Sequence, residues 1–239
     1  MSKPQLFCFP YAGGNASFFD LIETDLPGFE LVKLEYAGHG TRHREPCCQN
    51  FEELAGDVYC HLKNRYSGGD YALFGYSMGT ITLVEILKRI LADSGMKEPF
   101  HAFLAAHEPH SKAELSGFTG DEPDELVKER TVGFGAVPEK LKNNKSFWRM
   151  YLPLYRADYS MIGRYRFEDL TLRTAIPATF FYSETDTPRI EMELWRKYFT
   201  GDCAYYEFPG NHFFILERHN DMARLMDSRI RQRGEDHGV

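Results

Sequence analysis

The chain has 239 residues, 43% hydrophobic and 26% charged, the composition of a folded globular protein and not of a disordered one. Its formal net charge of −7 lacks the surplus of Lys and Arg that phosphate contacts need, so no nucleic-acid partner is expected. Five cysteines without a CxxC pair, no secretory leader in MSKPQLFCFP and no apolar run near the ~18 residues of a membrane span read as a soluble protein of the reducing cytoplasm, with no membrane partner.

In chain order, Gln5–Phe9 and Glu30–Leu34 are predicted strands. Phe51–Asn64 repeats Phe51, Leu54, Val58 and Leu62 at helical spacing. Tyr71–Gly75 is a third strand ending at glycine. Met78–Ala92 follows as a helix apolar around much of its circumference, and therefore buried. Ala102–Ala106 is a fourth strand. The stretch of about 109–174 then breaks the rhythm: it is charged, carries no convincing strand, and reads as helices at Asp124–Arg130, Pro138–Asn143 and Phe147–Arg164. That is too long for an ordinary loop. Thr179–Tyr182 and Ala204–Phe208 are two further strands, separated by an amphipathic helix around Met192–Tyr198. Asp221–Arg231 is a final helix, and the polar tail 232–239 is expected to fray. Strands alternating with helices imply an α/β fold, a mostly parallel twisted sheet with helices on both faces. The expectation is one domain over 1–239, its body from about Lys3 to Arg233, with a helical insertion at about 109–174.

The strongest local signal is Gly75-Tyr76-Ser77-Met78-Gly79, a G-x-S-x-G between a predicted strand and a predicted helix. Serine on that tight turn is held in a strained backbone that pushes its hydroxyl clear of the sheet, and the flanking glycines avoid clashes. The helix N-terminus below adds N–H groups for a developing oxyanion. A serine nucleophile needs a base and the base an orienting acid, in the chain order Ser, acid, His for this fold. Ser183-Glu184-Thr185-Asp186 follows a predicted strand, and Gly210-Asn211-His212-Phe213 follows the last one. Asp186 is the favoured acid, deeper in its loop than the rival Glu184, and His212 the base. Read singly, Asp186 could be a turn residue and His212 a helix cap. Phe9-Pro10-Tyr11-Ala12-Gly13-Gly14 after the first strand offers a glycine loop whose Ala12 amide, with that of Met78, is the candidate oxyanion hole.

LFCFPYAGG near the N-terminus, GYSMG, the LPLYRADYSMIGRYRF run at 152–167 and FPGNHFF near the C-terminus lie in an order and spacing that resemble the stand-alone (type II) thioesterases of nonribosomal peptide and polyketide synthesis. The resemblance runs through nearly the whole chain. It implies an α/β-hydrolase fold with a helical lid, and hydrolysis of acyl groups from the phosphopantetheine arm of an acyl- or peptidyl-carrier protein. It implies no metal or cofactor, and a monomer. On it Ser77, Asp186 and His212 become the triad, and Ala12 and Met78 the oxyanion donors. Tyr76 stands where that family usually has histidine, and Ala37-Gly38-His39-Gly40 replaces a more usual PGRG, departures that bear on pocket shape and acyl preference.

Weaker signals have plainer readings. His39 and His43 lie in a Gly- and Arg-rich loop and are not expected to hold a metal. His107-Glu108-Pro109-His110, after a strand at the active edge, reads first as a strand-end turn, because Pro109 stops any helix there, with lining of the pocket as the alternative. Cys47 and Cys48 are read as loop thiols. Lys140, Lys142, Lys145 and Arg149 beside Phe147, Trp148, Tyr151 and Tyr155 form either a solvated helix face over an aromatic core or a docking face for an acidic carrier protein with an acyl tunnel beneath. Two other functions stay open: a carboxylesterase or fatty-acyl/acyl-CoA thioesterase acting on free small substrates, and a non-catalytic ligand-binding module.

Overall fold

Strands covered on both faces carry apolar side chains at nearly every position. Gln5–Phe9 (β1), Tyr71–Tyr76 (β3), His101–Ala105 (β4) and Ala178–Tyr182 (β5) are buried throughout. Glu30–Lys33 (β2) and Cys203–Glu207 (β6), half-buried or exposed along most of their length, flank them. The structure, a computed structural model, describes residues 3–110, 115, 117–135 and 137–236. Its six strands form one wholly parallel sheet in the order β2-β1-β3-β4-β5-β6.

The two-residue alternation of strand side chains splits the core into two layers. Phe7, Phe9 and Leu73 face Phe51–Arg65 (α2) and Met78–Ala92 (α3), through Leu54, Val58, Leu62, Ile81, Val84 and Leu87. Leu6, Cys8 and Phe74 face the other way. They pack on Phe19 and Ile22, at the start of the short helix Asp20–Glu23 (α1), and on Ile215, Met222 and Met226 of Ile215–Asp236 (α7).

The strand order has a consequence for function. After β1 the chain moves to one edge, and after β3 it moves the other way. The adjacent C-terminal ends of β1 and β3 are thus the topological switch point, where open α/β sheets leave a crevice for ligands. Cys8 pairs with Phe74 and Phe9 with Gly75, so both strands end level and their loops emerge side by side.

Between β4 and β5 lie Asp124–Phe134 (α4), a 3₁₀ turn at Glu139–Leu141 and Lys145–Arg164 (α5). Pro123 precedes α4 and Gly135, at φ +87°, ends it in the left-handed region. The Asn144 side chain caps α5 by accepting from the Phe147 amide, and the helix runs on through Pro153. Residues 111–114, 116 and 136 of the expected insertion lie outside the described residues.

Several predicted boundaries are corrected. The helix placed around Met192–Tyr198 is a four-residue turn, Arg189–Met192 (α6), continued as 3₁₀ over Glu193–Lys197, with Trp195 and Tyr198 turned into the core. The expected Pro138–Asn143 helix is only the 3₁₀ turn, while α4 runs four residues past Arg130. The last helix starts at Ile215, not Asp221, and continues to Asp236 through most of the tail expected to fray. The Ala16–Phe19 3₁₀ turn and α1 were not expected. They are too short to show a period, although Asn15 caps the former by accepting from the Ser17 amide.

Candidate active site

Ser77 sits between β3 and α3 at φ +54° and ψ −119°, a region that non-glycine residues rarely occupy. Its amide donates to the Ala105 carbonyl at 2.8 Å, and its carbonyl accepts from the Thr80 amide at 2.8 Å. These bonds hold the strained turn and leave the hydroxyl projecting from it. The neighbouring glycines are required by packing: a Cβ on Gly75 would run into the Gly79 carbonyl, and one on Gly79 into the Phe9 carbonyl of β1.

His212, 135 residues further on, places Nε2 2.8 Å from Ser77 Oγ. Its Nδ1 lies 2.7 Å from Oδ2 of Asp186. A carboxylate oxygen only accepts, so Nδ1 carries the proton and Nε2 turns its lone pair to the serine hydroxyl. The imidazole and carboxylate side chains are only 6% and 11% exposed, so the pair is largely removed from competing water. Glu184, the rival acid, instead accepts from the Arg189 amide.

The loops that carry the two groups are fastened to each other. The Ser183 and Thr185 hydroxyls both donate to the Gly210 carbonyl, at 2.5 and 2.7 Å. From below, the fully buried Tyr76 hydroxyl donates to the His212 carbonyl at 2.7 Å. The imidazole is packed among Phe134, Phe213 and Tyr76, with ring centroids 5.1, 5.2 and 6.3 Å away. Phe134 comes from the last turn of α4, so the segment between β4 and β5 reaches the histidine directly.

Ala12 lies in the loop after β1, whose first residues pass Gly79 (a Cβ there would meet the Phe9 and Pro10 carbonyls), and Met78 follows Ser77 as the first residue of α3. The amides beside Ala12 are engaged: Gly13 donates to Asp158 Oδ2 at 2.6 Å and Gly14 to the Tyr11 carbonyl at 3.0 Å. Gly13, at φ +71°, lies under the Tyr155 ring of α5, which occupies the space a Cβ would need.

The remaining sequence candidates fall elsewhere. His39 faces Asp158, not His43, whose Nδ1 lies 3.1 Å from the Gly40 carbonyl. Among the described residues no group of three or more His, Cys, Asp or Glu is placed to hold a metal. His107 is buried and its carbonyl accepts from the Trp195 indole N–H. Lys142, Lys145 and Arg149 share a groove of about 430 Å³ with Asp124, Glu125 and Trp148, between α4 and α5. A second groove, about 540 Å³, lies between α2, the C-terminal half of α3 and the end of α5. No helix of the described residues is long and apolar enough to cross a membrane.

Two features escaped the sequence: the Tyr76 hydroxyl under His212, and the contact of Asp158 with Gly13 and His39. Tyr76 and His39 were visible only as unusual residues inside recognisable motifs. Asp158 gave no separate signal.

Residues 4–230 match the family model described as "Thioesterase domain". The human medium-chain S-acyl fatty acid synthase thioesterase is 28% identical over 222 residues, covering 91% of this chain and 83% of that protein. The gramicidin S biosynthesis protein GrsT of Aneurinibacillus migulanus is 25% identical over 233 residues, covering 96% and 90%. The crystal structure of ClbQ from the colibactin NRPS/PKS pathway superposes with a TM-score of 0.88 at 28% identity, over 97% of this chain and 98% of that one.

Proposed function

The chain belongs to the thioesterase family, and from that premise we propose that it is a serine hydrolase clearing acyl groups from the phosphopantetheine arm of carrier proteins on misprimed or stalled synthases. The observation that carries the reading is the His212 imidazole, held between the Ser77 hydroxyl and the Asp186 carboxylate. The choice of carrier-bound substrate is supported by relatives whose names place them in such pathways, GrsT and ClbQ among them.

In the mechanism, Ser77 Oγ attacks the thioester carbonyl while its proton passes to His212 Nε2. The negative charge on the carbonyl oxygen is met by the Ala12 and Met78 amides. Collapse breaks the C–S bond, and His212 returns the proton to the departing sulfur. A thiol ionises near pH 8.5, so it needs less acid help than an amine would. Water then attacks the acyl-serine, giving its proton to His212. That proton goes back to Ser77 as the carboxylic acid leaves. Asp186 holds the imidazole tautomer and offsets its transient charge. The described helices between β4 and β5 serve as the lid: α4 brings Phe134 onto the histidine and α5 brings Tyr155 over the loop after β1.

A second reading keeps the chemistry and changes the acyl group. The human, rat and duck medium-chain fatty acid synthase thioesterases match at 28, 27 and 26% identity, which favours a fatty-acyl substrate as the alternative. The test loads a carrier protein with short, branched, aminoacyl and medium-chain groups, adds the enzyme and follows intact carrier mass. Release from the carrier with Ser77→Ala inert is the expected result. Turnover of free esters in preference to any carrier-bound group would replace this reading with that of a carboxylesterase. Inertness towards every substrate and towards a fluorophosphonate probe would leave a binding module.

A further inference from the structure

Asp158 lies on α5, is 0% exposed, and stands 145 residues from Gly13 and 119 from His39. Its Oδ2 accepts the Gly13 amide at 2.6 Å and faces His39 Nε2 at 3.0 Å. Its Oδ1 has no hydrogen-bond partner among the described residues. His39, 2% exposed, turns Nδ1 to the Ala37 carbonyl at 3.0 Å. Both ring nitrogens thus face atoms that can only accept, so both carry protons and the ring is an imidazolium. Three separate segments, the loop after β1, the loop after β2 and the helix over the site, meet at one buried ion pair. Breaking such a pair strands a buried charge, which is costly.

We propose that Asp158 and His39 are positioning residues for the oxyanion loop: they fix the Gly13 peptide, and with it the adjacent Ala12 amide, only while α5 is seated. This rests on the assignment of Ala12 above. The Ala12 donor is then complete only when the helix above the site is in place, and deprotonation of His39 undoes the joint at high pH.

The surroundings support a single titration there. Burial alone would lower the His39 pKa. The charge and hydrogen bond of Asp158, the Ala37 carbonyl and the charge of Glu35 outweigh it and hold the imidazolium up to about 9. From its own loop, Tyr36 meets the imidazole edge-on at 5.8 Å, and Glu35 accepts from the Ala16 and Thr41 amides. Tyr155 and Tyr159 face Asp158 from α5, and burial pushes these phenols and that of Tyr36 up. Cys47 is pushed up by burial and then by the charge of Asp158, and burial and Tyr151 raise Tyr11 in the loop after β1.

The test is the rate at which a fluorophosphonate phosphonylates Ser77, displacing fluoride, from about pH 5 to about pH 10, a range spanning ordinary histidine titration. Its phosphoryl oxygen occupies the same oxyanion site. Wild-type labelling is expected to fall through about pH 9, at the midpoint where the His39 ring protons titrate by NMR in the same protein. Asp158→Asn is expected to label about 100-fold more slowly at neutral pH and to lose the alkaline fall, as does a displaced catalytic group. With acyl-carrier substrate the loss appears in kcat and not in KM. His39 titrating at an ordinary histidine midpoint would overturn the proposal. So would wild-type labelling that continues unchanged through the His39 midpoint, or a folded Asp158→Asn with the wild-type rate and profile. Should Asp158→Asn not fold, the two wild-type midpoints decide alone. No labelling of wild-type Ser77 at any pH would instead refute the function proposed above, a separate outcome.

Discussion

Tyr76→Phe removes one oxygen atom from beneath the candidate active site and leaves every ring contact in place. The tyrosine is fully buried, stacks on Phe213 at 6.2 Å and meets Phe214 at a tilt at 5.7 Å, contacts that phenylalanine keeps. What disappears is the hydroxyl that donates to the His212 carbonyl. Leaving that buried backbone carbonyl unpaired costs about 1–3 kcal/mol. For a chain of this size that is a fall in Tm of roughly 2–12 °C, at about 2–4 °C per kcal/mol. The same bond sets the height of the His212 backbone, hence the 2.8 Å approach of Nε2 to Ser77. Activity should fall about 10-fold or more, in kcat and not in KM, since a displaced base weakens only the reacting state. Differential scanning calorimetry and steady-state hydrolysis of an acyl-carrier substrate measure the two effects. A variant with wild-type Tm and wild-type kcat would refute the claim that this hydroxyl holds the histidine.

The pH dependence of stability has two limbs with opposite causes. His101, buried against the Thr179 hydroxyl, is held down to about 3 by burial and then by the charge of Arg229. Its unfolded form takes up a proton below about 6.5, so stability falls as pH drops from there toward 3, by on the order of a few kcal/mol. His39, held up at about 9, contributes stability in full below about 6.5 and loses it as pH rises through 9. Thermal melts should show both limbs, with His101→Gln flattening the acid one and His39→Gln the alkaline one; unchanged limbs would sink the assignments. Reversing charge at Lys142 and Arg149 together, in the groove between α4 and α5, should raise KM for carrier-bound acyl groups and leave KM for a small acyl-thiol mimic alone. Equal changes for both substrates would remove the docking role.

The fold was legible where local pattern and tertiary burial agree. All six strands stand within a residue of their predicted ends because each is a short apolar run closed by a turn, and α3 is apolar almost all round. Ser77, Asp186 and His212 could be picked out because each follows a strand at its C-terminal end, and a parallel sheet brings those ends to one rim. The start of α7 was missed because its first turn follows the Phe213-Phe214 pair without a polar break. The Ala16–Phe19 3₁₀ turn and α1 were missed because four residues show no period. The pairing of Tyr76 with the His212 carbonyl spans 136 residues, and that of His39 with Asp158 spans 119. Contacts so distant leave no spacing in the chain, and only the unusual residue within a familiar motif hinted at them.

The central claim is that the Ser77 oxygen takes the acyl group. Rapid acid quench of the enzyme mixed with excess acyl-carrier protein, followed by peptide mass mapping, reads this directly. The account predicts an acyl adduct on the peptide carrying Ser77, absent from Ser77→Ala and strongly reduced in His212→Ala. An adduct on another residue, or full deacylation of the carrier by Ser77→Ala, would contradict it.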